Sequence, residues 1–186
     1  MGTTARRERD ELIALRCRLG EPAAFAELVR ELERPLLYYA TKLLGDEDRA
    51  FDVLQEVWLT AFRTVGRLEE PGALRAWLYR IAHGLVVDRI RQDVSHQRVE
   101  AARAEAVPEA GPEPSFDAAD AAAVHRALDA LDARHREVLV LHFLEDMPLG
   151  DIASVLGCPE GTVKSRIYHA KRALKEILER GGYGHE

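Results

Sequence analysis

Apolar residues recur at three- and four-residue spacing through most of residues 10–92 and again through 123–180, while strand-like alternation is weak throughout. A helical period without a period of two predicts an all-α chain. Gly20-Glu21-Pro22, Gly45-Asp46 and Glu69-Glu70-Pro71-Gly72 combine turn formers with helix starters and cut the first block into about four helices. Between the blocks, Asp93 to Ala122 carries Pro108, Gly111, Pro112 and Pro114 among Ala and Glu, with few large apolar side chains. Such a stretch buries too little surface to offset its chain entropy, so it reads as a linker with frayed helical ends. The expected organisation is two small helical domains, 10–92 and 123–181, joined by a flexible linker over 93–122.

The second block holds the sharpest local signal. Ala153, Gly157 and Val163 stand four, eight and fourteen residues after Leu149, the spacing of two helices crossing through a short turn. A small Ala153 admits the second helix, Gly157 supplies a left-handed turn residue, and Val163 plugs the crossing. Pro159 suits the first turn of that second helix. On a wheel over 160–178, Val163, Ile167, Ala170, Leu174 and Ile177 share one face. Thr162, Ser165, Tyr168, His169 and Arg172 lie opposite, flanked by Lys164, Lys171 and Lys175 on one side and Arg166 on the other. Short polar groups between cations are what a recognition helix needs in order to touch base edges and phosphates together.

The first block offers two faces. On the helix over 49–63, Phe51, Leu54, Val57, Trp58, Ala61 and Phe62 form a broad apolar side. Asp52, Glu56, Leu59 and Arg63 lie opposite, with Gln55 at the edge, and a leucine among acids there is either a single stray exposed apolar residue or a protein contact. The helix over 73–91 packs through Leu74, Trp77, Leu78, Ile81 and Leu85. Its other side carries Arg75, Tyr79, Arg80 and His83, a cationic and aromatic mixture suited to stacking on unpaired bases. Trp77 sits at the rim.

Charge changes the picture in its distribution rather than its total. The net charge is −6, yet residues 93–122 hold seven acids against two arginines. Thr162 to Lys175 contains five cations and no acid. Binding follows the local field, so an acidic middle does not exclude a DNA-binding end. Cys17 and Cys158 are far apart and form no CxxC, which supports neither a disulfide framework nor a metal site. No glycine-rich phosphate loop, HExxH or GxSxG occurs, so no catalytic residue, metal or cofactor is expected. The charged start, without an apolar core, predicts no secretory signal, and no segment is apolar for long enough to insert in a membrane.

The residues then meet a known pattern. Ala24-Phe-Ala-Glu-Leu, Arg34-Pro-Leu-Leu, Leu44-Gly-Asp-Glu-Asp, Asp52-Val-Leu-Gln-Glu-Val-Trp and Leu74-Arg-Ala-Trp-Leu-Tyr-Arg-Ile-Ala resemble region 2 of sigma-70 family factors. Ala130-Leu-Asp-Ala-Arg-His-Arg-Glu-Val-Leu, Asp151-Ile-Ala and Gly157-Cys-Pro-Glu-Gly-Thr-Val-Lys-Ser-Arg resemble region 4. With only a linker between them, the chain is similar to the extracytoplasmic-function subgroup.

That resemblance implies a cytoplasmic, non-enzymatic initiation factor that directs core RNA polymerase to promoters. It implies that Asp52, Gln55, Glu56 and Leu59 bind the clamp helices of the largest subunit. It assigns Arg75, Trp77, Tyr79, Arg80 and His83 to the minus-10 element. Thr162, Lys164, Ser165, Tyr168, His169 and Arg172, with Arg166 and Lys171 beside them, fall to the minus-35 element. The polymerase flap region is a further implied partner, and an anti-sigma factor is common in the subgroup. Two departures stand out: Gly84 replaces a usual Asn after His83, where Arg is frequent, and Asp132 replaces a frequent Pro. The rival readings are a free-standing helix-turn-helix regulator, whose first block would sense a ligand or dimerise, and a helical enzyme, for which no clustered acid, base or metal set exists.

Overall fold

The computed structural model describes residues 3–100 and 118–180, with side chains over 5–93 and 123–180. Eight α-helices make up these segments: α1 (Thr3–Arg18), α2 (Pro22–Leu44), α3 (Glu47–Thr64), α4 (Leu74–Glu100), α5 (Ala118–Asp129), α6 (Ala133–Leu139), α7 (Leu149–Leu156) and α8 (Glu160–Arg180). The heart of the linker expected from the sequence lies outside the described residues. Its first residues continue α4 as far as Glu100, and its last ones begin α5.

Helix limits follow from local chemistry. Pro22 opens α2, where its missing N–H costs nothing. Gly45 ends it in the left-handed conformation at φ 72°, its N–H returning to the Thr41 carbonyl at 2.8 Å. Asp46 then caps α3 by accepting from the Arg49 N–H at 2.9 Å, with Glu47 and Asp48 beside the positive end of the helix dipole. Asp132, the departure from the family's frequent Pro, caps α6 in the same way by accepting from the His135 N–H at 3.0 Å. A proline there would preset the backbone, whereas the aspartate satisfies an orphan donor.

The N-terminal unit buries Ile13, Leu28, Leu36, Tyr39, Val57 and Leu78 among α1 to α4. The C-terminal unit buries Val138, Leu141, Ile152, Val155, Val163 and Ala170 among α6 to α8. A π-helical turn, Val140–Leu144, widens the end of α6. The two units do not stand apart: α4 packs on α7, α2 packs on α6, and their buried residues merge into one cluster. Among the described residues the two helical units therefore pack against each other.

Polar groups bracket this closure. Arg136 donates to the Leu128, Asp129 and Leu131 carbonyls at the end of α5 and, at 2.6 Å, to the Lys42 carbonyl in the last turn of α2. One guanidinium thus satisfies orphan carbonyls of two helices from different units. Lys42 in turn reaches Asp129 at 2.8 Å.

Candidate functional site

Region by region, the structure sorts the expected site residues into exposed and covered sets. The helix-turn-helix stands as the spacing predicts. Gly157 ends α7 at φ 60°, and Val163 is fully buried in the crossing. Pro159 lies one residue before α8 rather than in its first turn, and its carbonyl accepts from the Thr162 and Val163 N–H groups. The outer face of α8 is open: Lys164, Ser165, Tyr168, His169, Lys171 and Arg172 are exposed, and Thr162 is half-buried. Arg172 is engaged by Glu176 at 3.2 Å one turn on, and the Lys171 ammonium lies 4.8 Å from the centre of the Phe143 ring. These contacts are solvent-screened and easily exchanged for phosphate. Arg166 departs from the expected flank. It is half-buried in the groove beside Ala133 and Arg134 of α6.

The expected partner face on α3 is also open. Asp52, Gln55 and Glu56 are exposed and Leu59 is 56% exposed. Glu56 accepts from Arg89 of α4 at 3.2 Å, a loose pair that leaves one carboxylate edge free. The apolar side of α3 is less closed than its pattern suggests, because Phe62 remains 67% exposed although its ring meets Phe25 edge to face at 5.2 Å. Phe25, Trp58, Leu59 and Phe62 together line a shallow surface depression.

The α4 face differs most from the sequence expectation. Tyr79, expected on the outer side, is wholly buried, and its ring meets Tyr39 edge to face at 5.3 Å. The reason is tertiary: the C-terminal unit covers this side of α4. Burial, and next the neighbouring Glu145 carboxylate, push the Tyr79 phenol well above its ordinary pKa. Arg75 donates to Asp10 at 3.0 Å and sits 4.0 Å from Glu145, with its side chain 15% exposed. Nδ1 of His83 donates to Glu137 at 2.7 Å. Trp77 is half-buried against the core, and Arg80 alone of the five is exposed. Gly84 follows on the surface, where an added Cβ would meet nothing within 4 Å.

Two features escaped the sequence reading. Half-buried Glu137 accepts from Tyr39 and His83 of the N-terminal unit, and buried Glu145 lies 4.0 Å from Arg75. Between α5, the π turn and α8, an open apolar groove of about 620 Å³ is lined by Val124, Leu128, Phe143, Leu144 and Leu174. The adjacent Phe143 and Leu144, both about half exposed, were its sequence signal.

With this geometry in hand, the comparisons with known proteins agree with one another. Residues 28–95 match the model described as sigma-70 region 2, and residues 121–174 match that of sigma-70, region 4. The chain is 34% identical to the ECF RNA polymerase sigma factor SigL of Mycobacterium tuberculosis over 88% of this chain and 96% of that protein. It is 31% identical to the RNA polymerase sigma-H factor of Pseudomonas aeruginosa over 92% and 95% of the two chains. Among solved structures, CnrH in complex with the cytosolic domain of CnrY superposes with a TM-score of 0.68 at 27% identity, covering 92% of this chain and 98% of that one. The sigma factor RpoE, in complex with the anti-sigma factor NepR from Bartonella quintana, also gives 0.68, at 26% identity over 82% and 97%.

A helical region 2 followed directly by a region 4 defines an initiation factor, and the chain belongs to the extracytoplasmic-function group of the sigma-70 family. It binds core RNA polymerase and gives it promoter specificity. Sigma factors are not enzymes. Among the described residues no helix is long and apolar enough to cross a membrane.

Proposed function

We propose that the work divides by helix, with 10–92 serving polymerase and the minus-10 element, 93–122 acting as the linker, and 123–181 serving the minus-35 element. In this reading α3 docks on the clamp helices of the largest subunit through Asp52, Gln55, Glu56 and Leu59. The α8 face of Thr162, Lys164, Ser165, Tyr168, His169 and Arg172 enters the major groove. Arg166 and Lys171 steady the backbone beside it. Arg75, Trp77, Tyr79, Arg80 and His83 read the minus-10 strand once it is unpaired. The apolar groove beside Phe143 takes the polymerase flap region. A cytoplasmic site of action follows from these partners, and an anti-sigma factor is proposed as a further one.

The observation that carries the reading is the open, acid-free outer face of α8 from Thr162 to Lys175 beside a fully packed helix crossing. Short polar groups ringed by cations serve base edges and phosphates at once. The experiment pairs two variants. Asp52→Arg should abolish retention of the protein by core polymerase while leaving its thermal unfolding unchanged. Lys164→Ala with Arg172→Ala should keep retention and lose promoter-dependent transcription. Undiminished retention of the first variant overturns the α3 assignment, and intact minus-35 recognition by the second moves the DNA face elsewhere. Tight operator binding without polymerase would return the free-standing regulator.

A further inference from the structure

We propose that a second copy of this chain docks on the outer face of α1, the two helices pairing antiparallel about Leu15. The surface shares no residue with the faces assigned above to polymerase or DNA and does not depend on those assignments.

α1 is apolar on two sides. Inward, Ile13, Ala14 and Cys17 are buried in the core together with Asp10. Outward, Leu12, Leu15 and Leu19 are 56%, 42% and 86% exposed. Leu19 follows the last residue of α1 and keeps its register, since its N–H donates to the Leu15 carbonyl at 3.1 Å. At the helical period the three leucines fall within about 60° of one another, on the side opposite the buried set. A single exposed leucine is ordinary. Three at i, i+3 and i+7 form the seam by which one helix packs along another.

The charges beside the seam identify the occupant. Glu11 and Arg18 stand seven residues apart, hence on the same flank, and both are exposed. Neither has an ion-pair partner among the described residues. On the other flank Arg9 is engaged by Glu31, and Arg16 by Glu21 and Glu27. A two-fold axis across α1 reverses the partner helix and sets like flank against like flank. With Leu15 on that axis, Leu12 faces the second copy's Leu19, and Glu11 faces the second copy's Arg18, each contact occurring twice. A parallel pair would offer Glu11 only the Arg16 already held by two carboxylates, and would leave Arg18 unmatched. The stripe is therefore complementary to itself in one orientation. Three leucines a side bury less than the roughly 1,200 Å² of a stable complex, so the pair is weak, with Kd on the order of 100 µM. Charges at such a rim fix orientation more than they add affinity.

Sedimentation velocity on the full chain from about 5 to about 500 µM, which brackets that Kd, tests this. The mass should climb from the 20.8 kDa of one chain toward twice that value. Leu15→Glu with Leu19→Glu, both on the surface, should hold the one-chain mass throughout and unfold at the wild-type temperature. Glu11→Arg alone and Arg18→Glu alone should each weaken association about fivefold, and an equimolar mixture of the two should regain wild-type affinity. A wild type that stays monomeric at the highest concentration overturns the proposal; if core polymerase then loses the leucine variant, the stripe belongs to polymerase instead. Association that survives the leucine variant overturns the placement on α1. A mixture that fails to recover overturns the antiparallel pairing.

Discussion

Arg75 donates from Nε to Oδ2 of Asp10 at 3.0 Å, joining α4 to α1 with both side chains largely out of water. The residue that family resemblance assigns to DNA is therefore first of all a member of a buried ion pair. Its guanidinium has a second carboxylate, Glu145, at the edge of contact. On that assignment a variant at Arg75 would change folding and recognition together, whereas one at Asp10 removes the ion pair and keeps the guanidinium.

Asp10→Ala leaves the Arg75 cation with a single distant partner. Removing one member of a buried pair strands the other, so the expected loss is about 2–4 kcal/mol. Urea denaturation of Asp10→Ala against wild type checks it, and a loss below half a kilocalorie would show the pair to be solvated in solution.

Gly84 sits inside α4 on its surface, with open space where a side chain would go. Gly84→Ala should stabilise the chain by about 0.5–1 kcal/mol through backbone entropy alone, raising Tm by roughly 2–3 °C. Gly84→Asn, restoring the family's usual residue, should be tolerated without strain and sharpen selection at the minus-10 element. Thermal melts check the first part, and transcription from a library of minus-10 sequences checks the second.

Burial holds the Glu145 carboxyl above its ordinary value of 4.5, although Tyr79, Arg75 and Arg6 pull the other way. The folded chain thus keeps a proton that the unfolded chain has released. Its contribution to stability is complete below about pH 4.5 and is lost as pH rises through the folded value. Exposed Glu21 and half-buried Glu27, lowered by hydrogen bonds from Arg16, have the opposite slope. The unfolding free energy of wild type minus that of Glu145→Gln should therefore fall as pH rises from 4.5 toward 7. A flat difference would place Glu145 in water.

On duplex DNA, each phosphate contact releases counterions, so with five cations along 162–175 the log of the association constant falls against log salt with a slope of magnitude roughly 4.5. Lys164→Ala should lower the slope by about 0.9 and weaken binding evenly across sequences. Ser165→Ala should leave the slope alone and relax sequence choice. Fluorescence anisotropy of holoenzyme on minus-35 duplexes at several salt concentrations distinguishes the two.

Helix number, the breaks at Gly45-Asp46 and Gly157, and the open α3 and α8 faces were legible because each depends on neighbours within a few residues. A cap, a left-handed glycine and a periodic stripe are local statements. Tyr79 was not legible. Its position on the wheel opposes the main apolar stripe of α4, yet Tyr39 of α2 and Glu145 of the other unit both lie against it. The same holds for Arg166, which α6 half covers, and for Arg136, whose four carbonyl partners come from the ends of α2 and α5 and the turn after it. Contacts between units leave no periodic trace, so a charged side chain that brackets two helices reads like any solvated arginine.

The length of α4 has a bearing on promoter geometry. With α4 running to Glu100 and α5 starting at Ala118, the stretch between them can extend to about 60 Å at most. That is slightly short of two duplex turns, roughly 68 Å. Unwinding one helical turn at either end lengthens the reach by about 7 Å, or close to two base pairs. The tolerance of this factor for spacers of different length is then set by how readily the final turns of α4 and the first turns of α5 melt, and stiffening those turns should narrow the range of promoters it can open.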